Sequence, residues 1–129
     1  MRTILAVAAA GAMGAAARFG IGTWLMPGET GLFPWATFVC NCLGSFALGS
    51  WLGYCARRPS VPNSWKEAVG TGFIGAFTTF SAFSAETIEL LRHDYAGTAM
   101  IYIIASFVGG ILMAWLGLSL SRLGGARNG

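Results

Sequence analysis

Residues 70–84 read Gly70-Thr71-Gly72-Phe73-Ile74-Gly75-Ala76-Phe77-Thr78-Thr79-Phe80-Ser81-Ala82-Phe83-Ser84, and they lie in the middle of an otherwise apolar run. The glycines loosen a helix, while the hydroxyls can satisfy the backbone groups that loosening frees. Backbone that leaves the helix at hydrocarbon depth is tolerated only when it is buried in protein or faces a cavity. The run from about 66 to 91 therefore reads as a membrane span interrupted at Gly75-Ala76-Phe77-Thr78-Thr79, and carbonyls exposed at such a break can bind a cation.

Working outward, a first helix is expected over about 3–26, ended by Met26-Pro27-Gly28, and a second over about 33–55, ended before Arg57-Arg58-Pro59. A fourth runs over about 96–121, after the polar Arg92-His93-Asp94 turn. Each span needs about 20 apolar residues, so four of them with short loops consume nearly all of the 129 residues as a single domain, 1–129. Composition agrees: 55% of the chain is hydrophobic and 10% charged, against about 25% charged in a soluble domain. The fold class is thus all-α, a multi-pass membrane protein. Residues 3–16, behind Arg2, have the look of a signal peptide, but the later spans make them a first membrane helix.

Charge and cysteine usage exclude other classes. The eight Lys and Arg residues are scattered near segment ends and form no basic face, which speaks against a nucleic-acid partner. Cys40, Cys42 and Cys55 are an odd number, and helical residues two apart do not share a face, so neither a disulfide framework nor a metal site is expected. If loops alternate sides, Arg2, Arg57, Arg58, Lys66, Arg122 and Arg127 fall on one side, with Arg92 and Arg18 on the other. That bias places both termini in the cytoplasm. Glycines at 11, 14, 20, 22, 44, 49, 53, 70, 72, 75, 109, 110 and 117 let helix backbones approach closely, which lipid-embedded helices need. Four helices with so little bulk need a partner to enclose a pathway, and a homodimer follows.

The polar residues at hydrocarbon depth are few and ordered. Thr37, Asn41 and Ser45 recur every four residues on the second span, and Thr98, Tyr102, Ser106 and Gly110 do so on the fourth, so each set makes one narrow stripe. Stripes of hydroxyl and amide donors suit an anion; they also serve as interhelical glue, worth about 0.6 kcal/mol per hydrogen bond in membranes. Arg18 within the first span costs about 2.5–3.5 kcal/mol if central, and either draws anions to a vestibule or snorkels to headgroups. Glu86 is the acidic residue expected at depth, on one helical face with Thr79 and Phe83, in either a pathway or a packing role. Phe80 and Phe83 lie about one turn apart, and an aromatic ring has a positive edge that can face an anion, although aromatics at this spacing also serve as core.

Three motifs in register then supply a resemblance. Gly75-Ala76-Phe77-Thr78-Thr79-Phe80-Ser81-Ala82-Phe83-Ser84 resembles the Gly-x-x-Thr-Thr-Phe-Ser-x-Phe signature of the Fluc (CrcB) family of fluoride channels. Asn41-Cys42-Leu43-Gly44-Ser45-Phe46 and Gly14-Ala15-Ala16-Ala17-Arg18-Phe19 resemble that family's stretches in the second and first helices. The resemblance implies an antiparallel, dual-topology homodimer with two fluoride pathways and one central structural sodium ion. Gly75 and Thr78 match the positions whose backbone carbonyls hold the sodium. Asn41 matches the pore asparagine, Phe80 and Phe83 the phenylalanines facing fluoride, and Tyr102 and Ser106 the polar track, with Thr37 and Glu86 at further pore-lining positions. Ala82 stands where many members have threonine, and the fourth-helix stripe ends at Gly110 where some carry a hydroxyl. The bias of six positives against one or two also departs from the weak bias that dual insertion calls for.

The function this resemblance implies is passive fluoride export across a cell membrane. The sequence has no phosphate-binding loop and no nucleophile with a positioned base, so no enzyme is expected. The rival readings are a small multidrug-resistance type exporter, which binds cations at an acidic residue in a first helix that here carries Arg18, and a noncatalytic four-helix membrane scaffold.

Overall fold

The computed structural model describes residues 1–25 and 32–123; the expected end of the first span at Met26-Pro27-Gly28, and Arg127, lie outside them. Everything described is helix or short turn. Helix α1 covers Arg2–Leu25, α2 Trp35–Arg57, and α3 Asn63–Glu67. Wide π-type turns over Ala68–Ile74 then lead into α4, Gly75–Phe77, and after two extended residues come α5, Phe80–Arg92, and α6, Ala96–Leu123. Among the described residues, four helical stretches are long and apolar enough to cross a membrane, the third taking in Asn63–Arg92.

Local chemistry sets the ends. Pro34 and Pro62 stand immediately before α2 and α3, where a residue with no N–H and a fixed φ costs the helix nothing. Arg57, Arg92 and Arg122 lie in the last turns of α2, α5 and α6, opposite in sign to the dipole there. Asp94 closes the α5–α6 turn with a left-handed φ of 63°, and the Tyr95 N–H reaches back to the Leu90 carbonyl at 2.9 Å.

Packing divides into two partnerships. Helices α2 and α6 lie against each other along their length, and α1 lies against the π-type turns and α4. Close approach is achieved where side chains are missing: a Cβ at Gly49 would collide with the Ala114 carbonyl, one at Gly117 with the Phe46 carbonyl, and one at Gly14 with the Phe73 carbonyl. Not every glycine works this way, for Gly20 and Gly22 have nothing within 4 Å of a Cβ position. Few side chains are fully enclosed, chiefly Cys40 and Tyr102, while Phe19, Ile101, Phe107, Leu112 and Trp115 turn outward. An apolar exterior of this kind is what a hydrocarbon solvent requires.

The third span departs from a continuous helix at one place. Gly75–Phe77 stays helical, whereas Thr78 (ψ 157°) and Thr79 (φ −148°, ψ 128°) are extended. The irregular stretch is therefore narrower than the five residues singled out from sequence. Because Thr79 is extended, it does not share a helical face with Phe83 and Glu86; instead its Oγ1 accepts from the Ala82 N–H at 3.2 Å and caps α5.

Candidate functional site

The extended pair is held from α2. The Thr79 N–H donates to Asn41 Oδ1 at 2.8 Å, and Asn41 Nδ2 donates to the Thr79 carbonyl at 3.0 Å. A backbone N–H needs an acceptor, so the amide can face only one way. In a continuous α-helix the Thr79 N–H would pair with the Gly75 carbonyl and the Phe80 N–H with that of Ala76. Asn41 takes the first donor, and Arg18 Nε supplies Ala76 with a substitute at 3.3 Å. Thr78 returns both its N–H and its Oγ1 to the Ile74 carbonyl, each at 3.0 Å. The helix end at Phe77 thus leaves the carbonyls of Gly75 and Thr78 without their usual helical partners, at an exposed and a half-buried residue.

Around this clasp lies a cavity of about 490 Å³ between α2, α5 and α6, lined among others by Asn41, Thr78, Thr79, Phe80, Phe83 and Ser106. Phe80 is 79% exposed, and its ring centroid lies 5.8 Å from that of Phe83. Ser106 Oγ is buried without a hydrogen-bond partner among the described residues. One N–H of the Asn41 amide is spent on Thr79, and an amide has two.

A second cavity of about 450 Å³ is bounded by Arg18, Thr37, Cys40, Ala82 and Glu86. Here the Glu86 carboxylate is bound at both oxygens: Thr37 Oγ1 donates to Oε1 and the Tyr102 hydroxyl to Oε2, each at 2.7 Å. These two short bonds satisfy both oxygens of a half-buried acidic side chain. Tyr102 joins the two regions. Its ring, wholly buried, lies 5.1 Å from that of Phe83, while its hydroxyl reaches Glu86.

The ten residues singled out from sequence therefore fall in two connected groups. Asn41, Gly75, Thr78, Phe80, Phe83 and Ser106 line the first cavity; Arg18, Thr37 and Glu86 line the second, and Tyr102 links them. Sequence reasoning placed Thr79 in the break but gave it no site role, although Asn41 holds its backbone and a threonine just ahead of an apolar helix is an N-cap signal. It missed Phe33, packed edge-on against Tyr102 at 5.3 Å, for which no local pattern gave a sign. The arrangement offers hydroxyl, amide and ring-edge groups along apolar walls, with no nucleophile–base pair, which suits passage or binding of a small ion.

Known proteins resemble this chain over most of its length. The family model described as CrcB-like protein, Camphor Resistance (CrcB), matches residues 5–118. A fluoride-specific ion channel FluC of Acidobacterium capsulatum is 41% identical over 112 residues, covering 87% of this chain and 90% of that protein. The fluoride-specific ion channel FluC 2 of Geobacillus kaustophilus is 42% identical over 118 residues, 92% of each chain. In Pseudomonas fluorescens a FluC is 41% identical over 122 residues, 95% of this chain and 98% of its own.

Proposed function

This chain belongs to the CrcB-like family, and from that membership we propose that it is a passive fluoride-selective channel that lets cytoplasmic fluoride out of the cell. It is a multi-pass bacterial membrane protein with four spanning helices, and a channel rather than an enzyme. The observation that carries the reading is the cavity at the clasp, where the second N–H of Asn41, the unpartnered hydroxyl of Ser106 and the rings of Phe80 and Phe83 come together. An anion leaving water must exchange its hydration for donors, and these are donors or positive ring edges. At the second cavity Arg18 is the group that draws the anion onward, while Thr37 and Tyr102 hold Glu86 through their hydroxyls at the edge of the pathway. Fluoride efflux from liposomes, measured against chloride, tests this: selective fluoride efflux is expected, and no efflux from folded protein refutes it.

The finer parts of the proposal concern assembly. Two copies pair in opposite orientations, giving two pathways and one central sodium ion held by the carbonyls of Gly75 and Thr78 from each copy. The fit rests on the donors those carbonyls lose at the helix end and on the exposure of Gly75. Four carbonyls meeting in a dry interface would be costly without a positive charge between them, and the ion there is structural. Because its ligands are backbone atoms, Thr78→Ser should be nearly silent, whereas a larger residue at Gly75 disturbs the carbonyls. Prolonged replacement of sodium by an inert organic cation should lower the melting temperature of the dimer along with flux. Unchanged melting and flux after verified loss of the ion would count against a central cation. Single-cysteine labelling near the N-terminus, in a background lacking Cys40, Cys42 and Cys55, should modify protein from both sides of the membrane. Labelling from one side alone rules out the dual-topology homodimer.

A further inference from the structure

We propose that the groove between the C-terminal half of α2 and the first part of the third span binds one anionic phospholipid, its acyl chain along the apolar walls and its phosphate at Arg57 and Arg58. Lipid binding there is independent of which ion the channel passes.

The groove has a volume of about 690 Å³, and its walls include Trp51, Tyr54, Val61, Trp65, Val69 and Phe73. Ligand pockets commonly span about 300–1,000 Å³. Trp51 and Tyr54 lie about 15 and 20 Å along α2 from Asn41 at the helical rise per residue, and Ile74 alone lines both this groove and the cavity at the clasp. It is a separate site.

Its walls combine two chemistries at the end of a membrane span. The rings of Trp51 and Tyr54 are stacked, 5.7 Å apart and within 15° of parallel, and Trp51 Nε1 donates to the Lys66 carbonyl at 3.4 Å, which ties α3 to α2. Tryptophan and tyrosine at a span end suit headgroup depth, where one edge is apolar and the other wet. Arg57 also lines the groove. Its Nε donates to the Gly53 carbonyl at 3.2 Å, and a guanidinium has five N–H donors, so four remain to meet a phosphate. The Arg58 guanidinium lies 5.4 Å from the centroid of the Tyr54 ring, a cation–π contact that brings a second positive charge to the same wall. Between residues 57 and 67 the three cations Arg57, Arg58 and Lys66 stand against the one carboxylate of Glu67.

A soluble phosphate would use the cations and leave the valines and aromatic rings uncovered. A phospholipid matches both at once: cations at the cytoplasmic or headgroup end of a span attract anionic lipids, and the chain behind the phosphate covers the apolar walls. The net negative headgroup is the preferred one, because a choline would bring a positive charge beside three others.

Native mass spectrometry of the detergent-purified protein compares retention of phosphatidylglycerol, net negative, with phosphatidylcholine of the same acyl chains, net neutral, while thermal melting without added lipid reports folding. Wild type should hold phosphatidylglycerol about tenfold more tightly, equivalent to about 1.4 kcal/mol. Arg57→Gln with Arg58→Gln, both at exposed positions, should remove that preference from a folded protein. Val69→Trp fills the groove and keeps the cations, and should lower retention of both lipids. Glycerol phosphate at the same concentration should not displace phosphatidylglycerol. The proposal is overturned if wild type holds the two lipids equally, or neither, as when a second copy covers the groove. It is equally overturned if the folded arginine variant keeps the preference, if folded Val69→Trp holds lipid like wild type, or if glycerol phosphate competes, which marks a free-phosphate site. None of these results decides whether the protein passes fluoride.

Discussion

Asn41 holds the backbone of Thr79 at two points, 2.8 and 3.0 Å long, and replacing it by aspartate tests what that clasp is worth. The isosteric carboxylate still accepts from the Thr79 N–H. It turns a second acceptor toward the Thr79 carbonyl where the amide had a donor. One hydrogen bond is lost and a half-buried carbonyl is left unsatisfied, at about 1–3 kcal/mol, and a full charge short of the centre of α2 adds less than the roughly 2.5–3.5 kcal/mol of a central position. Asn41→Ala frees both backbone groups and should cost about 2–6 kcal/mol if water does not replace the amide. Fluoride efflux from liposomes should be abolished in Asn41→Asp, since the anion now meets a negative group where it met a donor. Thermal melting in detergent should fall for both variants, with Asn41→Asp still folded. A protonated carboxyl can turn one acceptor and one donor toward Thr79, as the amide does there, so Asn41→Asp should melt closer to wild type at about pH 4 than at about pH 7. If both variants melt and conduct like wild type, the clasp does not shape the third span and the pathway assignment of Asn41 falls with it.

Phe80→Ile and Phe83→Ile keep bulk but remove the positive ring edge, so efflux should fall more than melting temperature; equal losses of both would point to packing alone. Phe83, its ring tilted against that of Tyr102, should lose more stability than the exposed Phe80. Gly117→Val drives a side chain onto the Phe46 carbonyl and the Ser50 amide, forcing α2 and α6 apart at a cost of about 1–3 kcal/mol read by thermal melting, while Gly20→Ala, in open space, should be neutral or stabilising. Asp94→Gly relieves the left-handed φ of 63° and should raise stability by up to about 1 kcal/mol, measured in the same way.

The spans were readable because long apolar runs between prolines and charged turns leave little choice. The second and fourth, expected over about 33–55 and 96–121, are Trp35–Arg57 and Ala96–Leu123. Periodicity also reported which polar residues share a stripe, since a four-residue spacing fixes a helical face whatever lies opposite. It could not report what lies opposite. That Thr37 and Tyr102, on different stripes, meet at one carboxylate depends on how α2, α5 and α6 cross. The commitment of Asn41 to Thr79 and of Arg18 to Ala76 likewise spans long stretches of chain. Glycine content gave the tight crossings at Gly14, Gly49 and Gly117, but composition alone could not set Gly20 and Gly22 apart from them.

The bond from Arg18 to the Ala76 carbonyl also bears on how the chain is made. Its two ends are 58 residues apart, so at about 5–20 residues per second the arginine emerges roughly 3–12 s before its acceptor has been synthesised. For that interval a positive charge near the far end of α1 has no carbonyl to meet. Its long side chain can reach the headgroups, and the helix can shift or tilt to let it do so. Until the third span arrives beside it, the first helix is free to sit at a depth other than the one that the Arg18–Ala76 bond fixes.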